Sequence, residues 1–157
     1  MDSASPHRSA GFALTETLVA AALLAVGLLG HAALLVAALQ TESDAAQRAT
    51  AATLTASMAE RIRSNSSAGT AYALDPGAAT SLPLPTCELS MPFDAAARAA
   101  CDLAEWSGEV TSALPGADAS LIVTSVVGTD AHLYTVSVRW VSPGTTDRDT
   151  CTLQVQA

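Results

Sequence analysis

The chain contains no lysine, and its seven arginines face fifteen acids, for a net charge of −8. That balance excludes the clustered Lys/Arg footprint of a nucleic-acid binder and the basic face of a membrane-surface helix. Aromatic residues make up 4% and charged residues 14% of 157 positions, against about 25% charged in an average soluble domain. No proline separates His7 from Asp75, so nothing of that kind breaks a helix over that stretch. Nor does the chain carry the spacings of familiar chemistry. It has no Cys-x-x-Cys, no phosphate-cradling glycine loop and no Gly-x-Ser-x-Gly. His7, His31 and His132 fall in three unrelated settings. The expectation is a non-enzymatic protein with no catalytic residue, cofactor or metal; Asp147 and Asp149 read as a solvated turn.

Alanine fills 34 positions, and the apolar residues are concentrated. Thr17 to Thr41 is a run of 25 residues without a formal charge, TLVAAALLAVGLLGHAALLVAALQT. About 20 such residues cross the hydrocarbon of a bilayer. The run is too long for the apolar part of a cleaved secretory signal, and a charged, helix-prone segment follows it instead of a cleavage site. His31, inside it, reads as a packing or interhelix polar contact. A carboxylate, Glu16, stands at its entrance, where a helix N-terminus favours negative charge.

Beyond the run, residues 42–64 keep helical character without Gly or Pro. Ala51, Leu54, Met58 and Ile62 share one face. One helix from Phe12 to Arg63 would be about 78 Å long, and Asn65-Ser66-Ser67-Ala68-Gly69 supplies a stop. Residues 64–92 read as an irregular surface loop. Asp94 to Leu114 reads as a helix with Asp94 as N-cap and Leu103, Trp106, Val110 and Leu114 on its apolar face. Three strands follow by alternation: Leu121–Val127 with Leu121, Val123 and Val127 inward; Leu133–Val141 with Tyr134, Val136, Val138 and Trp140 inward; and Thr150–Gln156 with Cys151, Leu153 and Val155 inward. Gly128-Thr129-Asp130 and Ser142-Pro143-Gly144 supply turns. The sheet's apolar face is expected to lie on the Ala51–Ile62 stripe. Three cysteines allow one intrachain bond; Cys87–Cys101 closes a loop worth roughly 3 kcal/mol, with Cys151 as a buried thiol.

Gly11-Phe12-Ala13-Leu14-Thr15-Glu16, set between a short polar leader with His7 and Arg8 and the apolar run, resembles the class III signal of type IV pilins and pseudopilins. The stem end Met58-Ala59-Glu60-Arg61-Ile62-Arg63-Ser64-Asn65, followed by Tyr72, resembles that of the type IV pilus modification proteins, the PilV-type minor pilins. The head order Cys101, Asp102-Leu103, Trp106, Leu114-Pro115-Gly116, Tyr134-Thr135-Val136 and Trp140 is similar to the same family. Ala13, Thr15, Thr17, Ser57 and Ser64 depart from the commoner residues there.

The resemblance implies an α+β, type IV pilin-like fold: a long N-terminal transmembrane and stem helix on a small antiparallel sheet with one additional helix. It divides the chain into a leader (1–11), a transmembrane half-helix (12–41), a periplasmic stem (42–64) and a globular head (65–157). It implies cleavage between Gly11 and Phe12 by prepilin peptidase, N-methylation of Phe12, and a role for Glu16 in assembly, pairing with the Phe12 ammonium of a neighbouring subunit. The function so implied is that of a minor pilin in pilus initiation and tip assembly, supporting motility, adhesion or DNA uptake. The partners are other pilin subunits, the peptidase/methyltransferase and inner-membrane lipid, with no direct nucleic-acid contact. The N-terminus then lies in the cytoplasm and the head in the periplasm, before transfer to the filament. A minor pseudopilin of a type II secretion system is the alternative.

Overall fold

The computed structural model describes residues 10–79, 94–142 and 146–157. It is an α+β chain with a long apolar N-terminal helix, α1 (Ala10–Ser64), a short 3-10 segment (Ser66–Tyr72), a second helix, α2 (Ala95–Ala113), and three strands, β1 (Asp118–Ser125), β2 (His132–Val141) and β3 (Arg148–Gln156). The chain divides into two compact units, Met1–Glu42 and Ser43–Ala157.

In the first unit α1 is a single helix of good helix formers whose large apolar side chains find nothing to pack on. Leu14, Leu18, Leu23, Leu24, Leu29 and Leu34 are each between 66% and 72% exposed. Glycine weakens a helix by about 1 kcal/mol relative to alanine, yet Gly27 and Gly30 are absorbed without a break.

The second unit owns the core. The α1 stripe of Ala51, Met58, Ala59 and Ile62 joins Ala99, Leu103, Trp106 and Val110 of α2 and Ala119, Leu121, Tyr134, Val136, Val138, Trp140 and Val155 of the sheet in one buried cluster. The sheet therefore lies against the stem stripe, as the alternation predicted. Thr55 takes a buried place in the stripe, and Leu54 is only partly buried. The Thr55 hydroxyl donates to the carbonyls of Ala51 and Ala52, 3.1 and 3.0 Å away, so a polar side chain is tolerated there because its proton is satisfied locally.

The sheet is antiparallel in the order β1-β2-β3. Leu121 and Leu153 flank Val136, while Ala119 and Cys151 flank Val138. These cross-strand rows are what the period-two alternation demands of a sheet with one face on a core. The first strand differs from expectation. It ends at Ser125, and Val127 lies beyond it, 100% exposed, beside Gly128 at φ +84°. A turn requiring left-handed backbone competes with strand extension and wins.

Asp94 caps α2 as expected, accepting from the Ala97 N–H at 2.7 Å. At the other end Gly116 holds φ +56°, and a Cβ there would stand 3.0 Å from Val141 Cγ2. The glycine after Pro115 is thus fixed by conformation and by the strand passing it. The described part of 64–92 corrects the reading as a surface loop. Tyr72 and Leu74 are buried, and Leu74 pairs with Leu121 through reciprocal backbone hydrogen bonds of 2.9 Å. The segment kinks at Gly69, whose φ of +52° breaks the 3-10 turn.

Candidate assembly helix and anchoring node

Helix α1 starts at Ala10, so Gly11 and Phe12 lie in its first turn. The first four N–H groups of any helix lack intrahelical acceptors, so unwinding this turn breaks few bonds. Glu16 lies four residues beyond Phe12, about one turn, and is exposed. It borders a shallow groove also lined by Thr15, Val19, Ala20 and Leu23. Thr17 next to it turns its hydroxyl onto the Leu14 carbonyl at 2.9 Å.

The stem-end residues 58–65 form a different kind of site. Met58, Ala59 and Ile62 are buried and fasten one face of the helix to the core. Arg61 reaches α2 and forks between Glu105 at 2.9 Å and Glu109 at 2.8 Å. The two acids are one helical turn apart, so one guanidinium bridges them without bending. Glu60 and Arg63 pair with each other on the outside, both at least half exposed.

Asn65 ends α1 and is buried. Its side-chain amide donates to the Ala95 carbonyl at 2.8 Å and to the Tyr72 hydroxyl at 3.2 Å. That hydroxyl in turn donates to Asp102 Oδ2 at 2.6 Å. Burial, and then the hydrogen bond to Asp102, push the Tyr72 phenol far above its ordinary pKa. The chain Asn65–Tyr72–Asp102 thus ties the end of α1, the 3-10 segment and the flank of α2 together.

Trp106 adds a third tie, its indole N–H donating to the Leu54 carbonyl at 2.9 Å. The residues at 58–65 therefore do mechanical work. They fix the end of the long helix to the rest of the second unit, and nothing in their geometry suggests a reacting centre. Sequence patterning found Met58, Ile62 and Trp106, because they repeat at helical spacing. Asp102 as a partner of Tyr72 left no such signal, since its role depends on a contact across thirty residues.

Cys101 is disulfide-bonded and Cys151 is free and half-buried. Cys87, the expected partner, lies outside the described residues, as do Pro143 and Gly144 of the second expected turn. Cys151 Sγ sits 3.8 Å from the Thr55 hydroxyl. It lines a cleft of about 300 Å³ with Arg48, Trp140, Asp149 and Thr150.

Asp149 is not a solvated turn residue. It belongs to β3 and accepts from Ser142 Oγ at 2.9 Å and Arg48 at 3.2 Å. These hydrogen bonds, that of Ser142 first, hold its carboxyl below the usual range. Among the described residues no group of three or more His, Cys, Asp or Glu is placed to hold a metal ion. No family model, curated protein or solved structure matches the chain.

Proposed function

We propose that this chain is a minor pilin: a subunit held in the bacterial inner membrane by α1, trimmed between Gly11 and Phe12, and drawn into a type IV pilus near its start. The observation that carries the reading is the contrast within α1. None of the residues in the most apolar 18-residue window of the helix is buried by the chain itself, while the stripe from Ala51 to Ile62 is built into a core. Exposing so much leucine to water is untenable, since each fully buried Leu is worth roughly 1.5–3 kcal/mol relative to exposure. Lipid satisfies that surface first. A bundle of similar helices satisfies it equally well afterwards, so the transfer costs little in net apolar exposure.

Glu16 fits this route. A lone carboxylate in lipid or in a helix bundle needs an opposite charge. Cleavage before Phe12 creates one about a turn away in sequence, and a neighbouring subunit offers its own. The disulfide at Cys101 agrees with an oxidising compartment for the second unit. Residues 42–157 carry six Arg against thirteen acids, and His7 and Arg8 precede the span, an asymmetry in the sense of the positive-inside rule. The resemblance of residues 58–65 and of the head order to PilV-type proteins selects the pilus over other filaments that use the same signal.

N-terminal sequencing of the protein purified from membranes tests the reading. A methylated Phe12 as first residue is expected, together with loss of surface pili on deletion of the gene. A native chain that still begins at Met1 in a strain with active prepilin peptidase sinks the proposal. Loss of exoprotein secretion with pili intact would assign the chain to a type II secretion pseudopilus instead.

A further inference from the structure

The two edges of the sheet are finished differently. At the β1 edge the chain supplies its own cover. Leu74 and Leu121 exchange backbone hydrogen bonds of 2.9 Å, and the Gly77 N–H donates to Asp118 Oδ1 at 2.9 Å. The β3 edge is left open. His132 and Ala157 exchange backbone hydrogen bonds of 2.8 and 3.1 Å, which makes them a closely spaced pair of the antiparallel ladder, and such pairs recur at every second residue. With the register Tyr134↔Val155, Val136↔Leu153 and Val138↔Cys151, the backbone groups of Cys151, Leu153 and Val155 face β2. Those of Thr150, Thr152, Gln154 and Gln156 face the other way. All four residues are exposed, and among the described residues nothing pairs with their outward N–H and C=O groups.

Open edges are ordinarily blunted by charged side chains, proline, a bulge or a very short strand. From Thr150 to Ala157 there is no charged side chain, no proline and no glycine, and the pairing of β3 with β2 runs from Val141 to Leu133 without a bulge. The apolar rows beneath this edge are unfinished as well. Val136 and Val138 are fully buried. Leu153 and Cys151, one strand outward in the same rows, are only half-buried. A cleft of about 300 Å³ between Arg48 of α1 and Trp140, Asp149, Thr150 and Cys151 continues that gap at the start of β3. The edge thus lacks a backbone partner and the core beneath it lacks a last row of side chains, and one added strand supplies both.

We propose that the β3 edge takes a strand from an unlike subunit of the filament, so that the sheet gains a fourth strand across the contact. The inference rests on the filament reading above, in which this chain stands among other subunits. The edge prescribes the chemistry of its occupant. Outward N–H and C=O groups at alternate residues are matched by an extended backbone and not by a helix. The side chains of that backbone alternate between the two faces. Those beside Cys151 and Leu153 are apolar and close the rows over the core. Those beside Thr150, Thr152 and Gln154 are polar and uncharged, because the edge from Thr150 to Gln156 offers no counter-charge. A second copy presenting the same edge would close a pair about a two-fold axis and use the edge up, which does not serve a subunit that starts a filament of others.

Cys151, a free thiol beside the edge, reports occupancy in the full-length chain. Maleimide should label it about tenfold more slowly in sheared filaments than in the detergent-solubilised single chain. A photoreactive benzophenone amino acid in place of Gln156 should yield, in the same filaments, an adduct with an unlike subunit, mapped by mass spectrometry to an uncharged segment of alternating apolar and polar residues. Thr152→Pro removes an outward N–H and spares the ladder to β2, as proline on an edge strand does. It should restore fast labelling and reduce the adduct about tenfold, with the unfolding midpoint of the solubilised chain nearly unmoved. The labelling contrast and the mapped adduct need no proline, so they decide even where that variant unfolds. Equal labelling in filaments and in detergent overturns the proposal. So does an adduct with a second copy of this chain, or one mapped to a helix, or one that a folded Thr152→Pro chain forms undiminished. If the chain is processed at Phe12 and enters filaments with Cys151 open to maleimide, the strand pairing falls and the filament reading stands. If it neither is processed nor enters filaments, both fall.

Discussion

The two halves of α1 obey the same helical geometry and face opposite demands. From Leu14 to Leu39 the large apolar side chains are at least 55% exposed. From Ala51 to Ile62 the same helix has an apolar stripe at 0–1% exposure at Ala51, Met58, Ala59 and Ile62. The difference lies in what surrounds the apolar positions. In the first half they occupy every face, so no folding of this short chain could cover them all. In the second half charged and hydroxyl residues confine them to one side, and a single sheet and helix suffice. Hydrophobicity spread around a helix calls for a surrounding medium or a bundle, whereas hydrophobicity on a stripe calls for a core.

The largest expected effect separates the halves by stability. Trp106 is fully buried and also holds the Leu54 carbonyl. Trp106→Ala should cost about 3–5 kcal/mol, read by urea unfolding of the detergent-solubilised chain through Trp140 fluorescence. Leu24→Ala, in the exposed half, should stay within about 0.5 kcal/mol. A Leu24→Ala variant as damaged as the tryptophan variant would mean that the first half packs on something within the chain, and the comparison would break.

Next comes the node that fastens the buried half. Tyr72→Phe removes one hydroxyl and leaves the Asn65 amide and the Asp102 carboxylate short of a partner. Losing a hydrogen bond to a charged group in a buried setting costs about 1.5–3 kcal/mol. The same unfolding measurement should show that loss, with a native-like helix signal in far-UV circular dichroism. A change under about 0.3 kcal/mol would make the node decorative.

These contacts also show where sequence reading stops. The long helix, the three strands and the faces of α2 were legible because periodicity reports burial directly. Tyr134, Val136, Val138 and Trp140 alternate in the chain and are all buried in the sheet. Residues 66–79 were not legible. Their burial rests on Tyr72 and Leu74, two isolated residues in a segment without period, held by a partner on α2 and one on β1. Val127 was misplaced for a related reason: its spacing continued the strand, while Gly128 three positions past Ser125 had already set a turn. At the start of α1 the proposal is carried by residue types around Gly11, Phe12 and Glu16, which have no periodicity behind them.

Alkaline titration sharpens the comparison from the side of the second unit. Tyr72 and Tyr134 are the chain's two tyrosines, both fully buried, and burial raises both phenols above the ordinary value of 10.0. A folded-state value above the unfolded one adds stability that is complete below about pH 10 and is lost as pH rises toward the folded value. The native chain should therefore show clearly less phenolate absorbance at pH 10 than the urea-unfolded chain, which is half ionised there. Stability should fall above that pH. Phenolate absorbance appearing in the native protein with the unfolded midpoint would place one tyrosine at the surface.

The smallest effect distinguishes two arginines two residues apart. Arg63 is half exposed and, among the described residues, pairs only with Glu60, three residues earlier on the same helix, a local pair of the kind worth about 0.3–0.5 kcal/mol. Arg61 is 23% exposed, bridges Glu105 and Glu109 and also donates to the Asp102 carbonyl at 3.4 Å. Arg63→Ala should therefore leave the unfolding midpoint nearly unmoved, and 0.5 M salt should erase what remains. Arg61→Ala should cost more, about 1 kcal/mol, because two acids on α2 lose their shared cation while the screening by solvent is weaker there. Equal costs for the two would show that the stem end is held by its apolar stripe alone. The fork of Arg61 would then be a surface contact, and the boundary between the two demands on α1 would be drawn by Met58 and Ile62 and not by the charges around them.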